Sequence, residues 1–311
     1  MDAVELTPTI LQSIEVAKVF KDTSDITSLS FSPDGQFLLS SSNTINLYNV
    51  LKGTHEKSIP SDSYMIHFSN NPYSFLSASS QSIDYWSLQT TRIIHTFPVN
   101  SLSSLDISPR DDIFISADTK QISIHDLNYR RTIGRLELNE SIGSIICKYD
   151  PYGLIFVAAY SIISQGRYKN VVQVFDTRQF SKGSFALWYF EGSEIISIDF
   201  SNDGQYILVN TKTNIVYILD SLDGKIKNVF KEFLGNGICP SVFSPDSRYM
   251  FTSCDKTYNV VVANVENCQK VHELKGNVKS IKTIAWSPEY CVLATGNDHL
   301  LLWVPDYIRL R

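Results

Sequence analysis

Nowhere in this chain do about eighteen apolar residues run together, so no bilayer-spanning helix is expected. The amino terminus, MDAVELTPTI, is acidic and has no long apolar stretch, so a secretory leader is not expected either. Cysteine is sparse and unpaired in pattern. Cys147, Cys239, Cys254, Cys268 and Cys291 are five in number and form no CxxC, which gives neither a disulfide framework nor a zinc knuckle. Four of them lie in or beside apolar strand patterns, where a free thiol behaves as a small hydrophobe, and a reducing compartment inside the cell is the expectation. An excess of positive charge is also missing: 27 Lys and Arg face 32 Asp and Glu, with a pI near 5.7. Direct binding to a nucleic-acid backbone, which needs clustered cations to displace counterions, is therefore not expected.

Catalytic signatures are absent as well. No HExxH, GxSxG or P-loop pattern occurs. The six histidines, His55, His67, His95, His125, His272 and His299, stand singly in different parts of the sequence. Paired acids such as Asp111-Asp112 fall in a turn between strand patterns, where solvated charge is the ordinary role. The reading is of a non-enzyme with no catalytic residue, no metal site and no cofactor.

What the chain does have is a repeat. Hydrophobic residues make up 43% of 311, with 16 Tyr and 17 Phe, enough for a large core. The unit at 26–50, ITSLSFSPDGQFLLSSSNTINLYNV, is one of seven copies. Its anchor position holds Phe31, Phe68, Ile107, Tyr149, Phe200, Phe243 and Trp286, at separations of 37, 39, 42, 51, 43 and 43 residues. That is the period of a four-stranded propeller blade, roughly 40–45 residues. Turn residues follow six of the anchors: Asp34-Gly35, Asp203-Gly204, and Pro33, Pro109, Pro151, Pro245 and Pro288. A second apolar strand comes next, and a third ends in an aromatic-polar pair or its remnant: Tyr48-Asn49, Trp86-Ser87, His125-Asp126, Phe175-Asp176, Leu219-Asp220, Ala263-Asn264 and Trp303-Val304.

The pattern gives an all-β, seven-bladed propeller over 14–307, with a loosely held lead at 1–13 and a short tail at 308–311. The last repeat supplies only three strands, whereas 16–20 (VAKVF) is a strand pattern with no partner of its own. Residues 16–20 are therefore expected to close the ring as the outer strand of the seventh blade. The fourth repeat is the irregular one. An insertion at 159–170 lengthens the loop between its second and third strands, on the face where propellers usually receive partners. A second insertion at 176–184 lengthens the link to its outer strand, and extra chain of this kind is where function tends to be added.

These repeats resemble the WD-repeat family, with His125-Asp126 and Phe175-Asp176 standing where that family has Trp-Asp. The copies are worn: none keeps Gly-His or an intact Trp-Asp, and the polar tetrad is incomplete. The segments at 16–20, 149–159, 175–185 (FDTRQFSKGSF), 200–208 and 301–307 (LLWVPDY) are similar to one subfamily. It is the WD-repeat subunit shared by the COMPASS histone-lysine methyltransferase and by cleavage/polyadenylation and type-1 phosphatase assemblies. Ser184 replaces an expected proline, and Pro98-Val99-Asn100 stands in place of a Gly-His pair. The resemblance implies a nuclear, non-catalytic adaptor with no membrane association. Its implied partners are the methyltransferase catalytic subunit, subunits of termination and phosphatase complexes, and the phosphorylated C-terminal tail of RNA polymerase II.

Gripping phosphate needs Arg or Lys. Arg167 and Lys169, flanking Tyr168 in the first insertion, are the leading candidates, followed by Arg178, Phe180 and Lys182 in the second and by Arg130 and Arg131. Any one of them also fits a surface cation that merely offsets the acidic excess. Tyr129-Arg130-Arg131-Thr132 distantly resembles the Phe-Arg-Arg-Gly motif of phosphoinositide-binding propellers of membrane trafficking, but lacks its phenylalanine and glycine. A phosphoinositide-binding propeller is accordingly the alternative.

Overall fold

The structure is a computed structural model that describes residues 5–138, 141–231 and 239–306; the tail expected at 308–311 lies outside them. Among the described residues there are seven four-stranded antiparallel sheets, six of them built from consecutive strands. The innermost strands, Ser28–Phe31, Met65–Phe68, Ser104–Ile107, Ile142–Tyr149, Ile195–Phe200, Ser241–Phe243 and Thr283–Trp286, touch their neighbours in a closed cycle. The chain is thus a seven-bladed propeller, as its period requires.

Burial peaks in the second strands and falls toward the outer edge, and the sequence follows it. Second strands such as Ser74–Ala78 and Tyr249–Ser253 are buried along their whole length. They are packed between neighbouring blades on both faces and so read as continuous apolar and small residues. Outer strands such as Thr54–Pro60 are mostly exposed. The turn after the inner strand is built the same way in three blades. In the first, Ser32 Oγ donates to Asp34 Oδ1 (2.5 Å), the same oxygen accepts from Gln36 N (3.1 Å), and Gly35 takes φ +66°. Ser201, Asp203 and Gly204 repeat this arrangement, as do Ser244 and Asp246 with Ser247 at φ +61° in place of glycine. An aspartate folding back on its own turn, followed by a residue tolerating the left-handed region, is the reason for the Ser-Pro-Asp-Gly signature.

The ring closes as expected. Ile14–Lys21 pairs antiparallel with His299–Pro305, from Ile14 opposite Pro305 to Lys21 opposite His299. The lead before it departs from expectation. Pro8–Ser13 is a helix, started by Thr7, whose Oγ1 accepts from Ile10 N, and by Pro8 in the first turn. A six-residue helix is not stable by itself. This one is held because Leu6 and Leu11 are fully buried in the core between the sixth and seventh blades, beside Tyr249, Phe251 and Trp303. Leu6 N also donates to Asp246 Oδ2 at 2.7 Å, and Arg248 pairs with Glu5. Apolar residues too few to show a period explain why the sequence reads as loose there.

The 159–170 insertion is not a loop either. It prolongs the second and third strands of the fourth blade, Ile155–Ser164 and Arg167–Asp176, into a hairpin arm paired without interruption from Ile155 opposite Asp176 to Ser164 opposite Arg167. Gln165 and Gly166, at φ +52° and +74°, make the two-residue turn whose twist suits a hairpin.

Removing residues 1–20 is expected to destabilise the whole domain, and Leu11→Ala alone to cost about 2–5 kcal/mol through the cavity it leaves. Thermal and denaturant unfolding check both; an unchanged midpoint for the truncated chain would remove the closure role.

Candidate interaction surfaces and the channel cluster

The fourth blade carries the candidate residues at its two ends. Arg167 and Tyr168 are exposed at the tip of the hairpin arm, and Lys169 is half-buried with its ammonium 4.3 Å from the centre of the Tyr189 ring. Arg178, Phe180 and Lys182 lie at the opposite end, in the link that contains the short 3-10 turn Phe180–Lys182. The structure therefore separates the two groups instead of bringing them together. Arg130 and Arg131, in the corresponding link of the third blade, share a face with Arg178 and Lys182.

Phe180 is turned inward. It packs on the core between the third and fourth blades, and a Cβ at Gly134 would overlap its ring. Its contribution is to clip the link onto the third blade, leaving Arg178 and Lys182 exposed around it. Arg130 holds φ +53° in its turn with its side chain exposed. Arg131 lies over the Tyr129 ring at 5.5 Å, a cation–π contact that orients the guanidinium.

His125 stands in the aromatic-polar position of the third blade and has the structural role that position suggests. Its Nε2 is 2.8 Å from Ser116 Oγ, its Nδ1 is 3.0 Å from Thr132 Oγ1, and its ring stacks on Phe114. Trp86 and Trp303 do the equivalent in their blades, donating from Nε1 to Ser77 Oγ (2.9 Å) and Thr295 Oγ1 (3.0 Å). Burial, helped by the charge of Arg135, pulls the His125 pKa down to about 4 and keeps the ring neutral.

The sequence reading missed one cluster. The residues just before the anchors, His67, Asp106, Lys148 and Asp199, come from four adjacent inner strands and line a single cavity of about 490 Å³ on the axis. Lys148 Nζ is 2.9 Å from Asp106 Oδ1 and 3.8 Å from Asp199 Oδ1; His67 Nε2 is 3.2 Å from Asp106 Oδ1. Tyr149 N donates to Asp106 Oδ2 at 2.8 Å, so both oxygens of this buried carboxylate are satisfied. Burial opposes its ionisation, but Lys148 and His67 outweigh burial and hold Asp106 below the usual carboxylate range. Burial likewise opposes the charge on Lys148, yet the two aspartates keep its ammonium above the ordinary lysine value. Asp199, held more loosely by Lys148, is pushed up by burial, although about a third (32%) of its side-chain surface stays open to the channel. His67 is thus not alone, as its place in the sequence suggests. Its partners stand one repeat apart or more, at the same position relative to each anchor. Among the described residues, no group of three or more His, Cys, Asp or Glu is placed to hold a metal ion.

A family model described as WD domain, G-beta repeat matches residues 15–49 and 268–303, the two parts of the chain that meet at the closure. The chain is a seven-bladed WD-repeat propeller. It is 28% identical to WD repeat-containing protein 82 of Drosophila melanogaster, an alignment covering 97% of this chain and 98% of the relative. It is 28% identical to the Set1 complex component swd2 of Schizosaccharomyces pombe, covering 83% and 77%. It is 24% identical to the COMPASS component SWD2 of Saccharomyces cerevisiae, covering 92% of each. The resemblance to the WD-repeat subunit of COMPASS, first visible in scattered segments, extends along the propeller.

Lys148→Met is expected to cost up to about 3 kcal/mol, because it removes the nearer cation from the buried Asp106 and leaves it only His67 and the Tyr149 amide. Adding Asp106→Asn should recover part of that loss, measured by denaturant unfolding of the single and double variants. A second prediction concerns pH. The unfolded chain protonates its histidine near pH 6.5 but folded His125 only near pH 4, so the stability present at pH 7 is lost between those values as pH falls. Its share is at most about 3 kcal/mol. The slope of stability against pH in that window should flatten in His125→Phe.

Proposed function

We propose that this propeller is a non-catalytic adaptor subunit of a nuclear histone-lysine methyltransferase assembly of the Set1/COMPASS type. The observation that carries this is the similarity, over 83% and 92% of the chain, to two relatives named as Set1 or COMPASS components. The architecture suits the role: seven short outer edges and two faces of turns offer docking surface on a rigid core. The adaptor holds the methyltransferase catalytic subunit, and serves termination and phosphatase assemblies through the same propeller. It also bridges to the phosphorylated C-terminal tail of RNA polymerase II. For that last contact, Arg167 and Lys169 on one face, and Arg130, Arg131, Arg178 and Lys182 on the other, are the available charge-assisted donors.

Affinity purification of the tagged chain from nuclear extract tests this reading. Recovery of a Set1-type methyltransferase is expected, with termination or phosphatase subunits as a second set. Recovery of neither, together with strong flotation on phosphoinositide vesicles, would overturn it in favour of a lipid-binding propeller. For the tail contact, a phosphorylated tail-repeat peptide should bind several-fold more weakly to Arg167→Ala/Lys169→Ala, and the unphosphorylated peptide weakly to both forms.

A further inference from the structure

The outer strands of the seven blades are not alike, and among the described residues one runs regular for longer, and with less charge, than the others. In six blades the outer strand carries one extra residue against its neighbour: Ala17, Glu56, Ile94, Ile133, Lys227 and Val271 each stand at a break in register. Such a bulge kinks the strand and spoils its free edge for pairing with another chain. The same six strands carry Lys, Arg or His within them, such as Lys18, Lys57, Arg92, Arg135, Lys227 and Lys270. Charge on an edge strand is a second barrier to strand addition.

The outer strand of the fourth blade, Ala186–Glu191, is kinked only at its start, where Phe185 N donates to Val174 O beside Ala186, and it lacks the second device. Its register against the third strand runs unbroken from Ala186 opposite Val174 to Glu191 opposite Lys169. Its sequence, ALWYFE, has no Lys, Arg or His, and its one charge is at the last position. Leu187 and Tyr189, two residues apart and so on one face of the strand, are 42% and 50% exposed, and Phe185 just before them is 65% exposed. Trp188, on the other face, packs at Gly224 of the fifth blade and fixes the strand in place. Positive charge brackets this edge: Arg167 and Lys169 beside its Glu191 end, Arg178 and Lys182 in the link before Phe185. Within 142–191 five Lys and Arg face three acids, in a chain whose total charge is −5.

We infer that the outer edge of the fourth blade is a strand-addition site, taking as a fifth strand an extended partner segment with apolar alternate residues and acidic residues at both ends. The backbone of Ala186–Glu191 supplies the ladder, Leu187 and Tyr189 the apolar contacts on one face, and the flanking cations choose an acidic occupant over a basic one. The pairing stands whichever assembly the propeller serves, so it can fail without the adaptor reading failing, and the reverse.

The test uses the full chain and a synthetic peptide of alternating Val and Thr flanked by two Asp at each end. Fluorescence polarisation should show saturable binding that weakens with salt. Amide hydrogen exchange should slow within 186–191 when peptide is added. Leu187→Lys/Tyr189→Lys should weaken binding at least tenfold, and the milder Leu187→Thr/Tyr189→Thr severalfold, with unfolding midpoints unchanged because both side chains are exposed. A peptide with Lys flanks should bind at least tenfold more weakly than the Asp-flanked one. No binding, binding indifferent to the substitutions, or protection outside the fourth blade would overturn the proposal. So would a concentration-dependent dimer abolished by the Lys pair, which would make the occupant a second copy of this chain.

Discussion

Everything in this fold depends on the pairing of Ile14–Lys21 with His299–Pro305. Six blades are made of consecutive strands, so each could be laid down on its predecessor with local loops alone. The seventh cannot form until the two ends of the chain meet, and until then its third strand and the flanks of the first and sixth blades stay open. The closure therefore couples all seven sheets, and the chain adds to it from an unexpected side. The Pro8–Ser13 helix inserts Leu6 and Leu11 into the core between the sixth and seventh blades, and Leu6 N uses the second oxygen of Asp246, the turn aspartate of the sixth. Burying each such side chain is worth about 1.5–3 kcal/mol, comparable to the backbone entropy of ordering one or two residues. The lead is stable only as part of the joint it reinforces.

Much of this was legible because a propeller repeats its physics. The anchors, the Asp-Gly turns and the twice-buried second strands recur with the period, so their spacing alone gave the seven blades, and counting strands against partners gave the closing one. The role of His125 was legible from its place in the repeat, and the ring is indeed held between two hydroxyls instead of serving as a ligand. Other features were not legible, each for a physical reason. The helical lead has only a few apolar anchors, too few for a period to show. The hairpin arm at 159–170 read as a loop because its tip is polar, although Gln165-Gly166 is a usable two-residue turn.

The channel cluster was hidden in a different way. His67, Asp106, Lys148 and Asp199 are isolated in sequence, and only alignment of the repeats on their anchors shows that all four occupy one position. Because that position faces the axis, residues some forty apart become neighbours across blades. Their charges then decide the chemistry. Asp106 is satisfied by Lys148, His67 and the Tyr149 amide, and Asp199 offsets what remains of the lysine charge. An internal ion network of this kind adds little net stability over apolar packing. It does penalise a misplaced blade, because any shift of the third blade against the fourth would strand a buried carboxylate. In a ring of seven similar sheets, where one blade could pack on another's neighbour, that is a use for charge in the core.

The same contrast between rule and exception explains the fourth blade. Bulges that interrupt the outer strand and cations within it are protective features spread over the other six, including the blade closed by the amino-terminal strand. A repeat protein whose edges were all bare would invite edge-to-edge aggregation; one whose edges were all blocked would offer partners only its turns. Here the longest regular edge among the described residues, free of Lys, Arg and His, coincides with the longest repeat, the extended hairpin and a local excess of positive charge in an acidic chain. Lys169 joins these features, since its position extends the arm and its ammonium rests on the Tyr189 ring of the exposed edge. The insertions therefore do not simply append loops to a blade. They lengthen its third strand past the outer one and set cations at both ends of an edge that the other blades have closed.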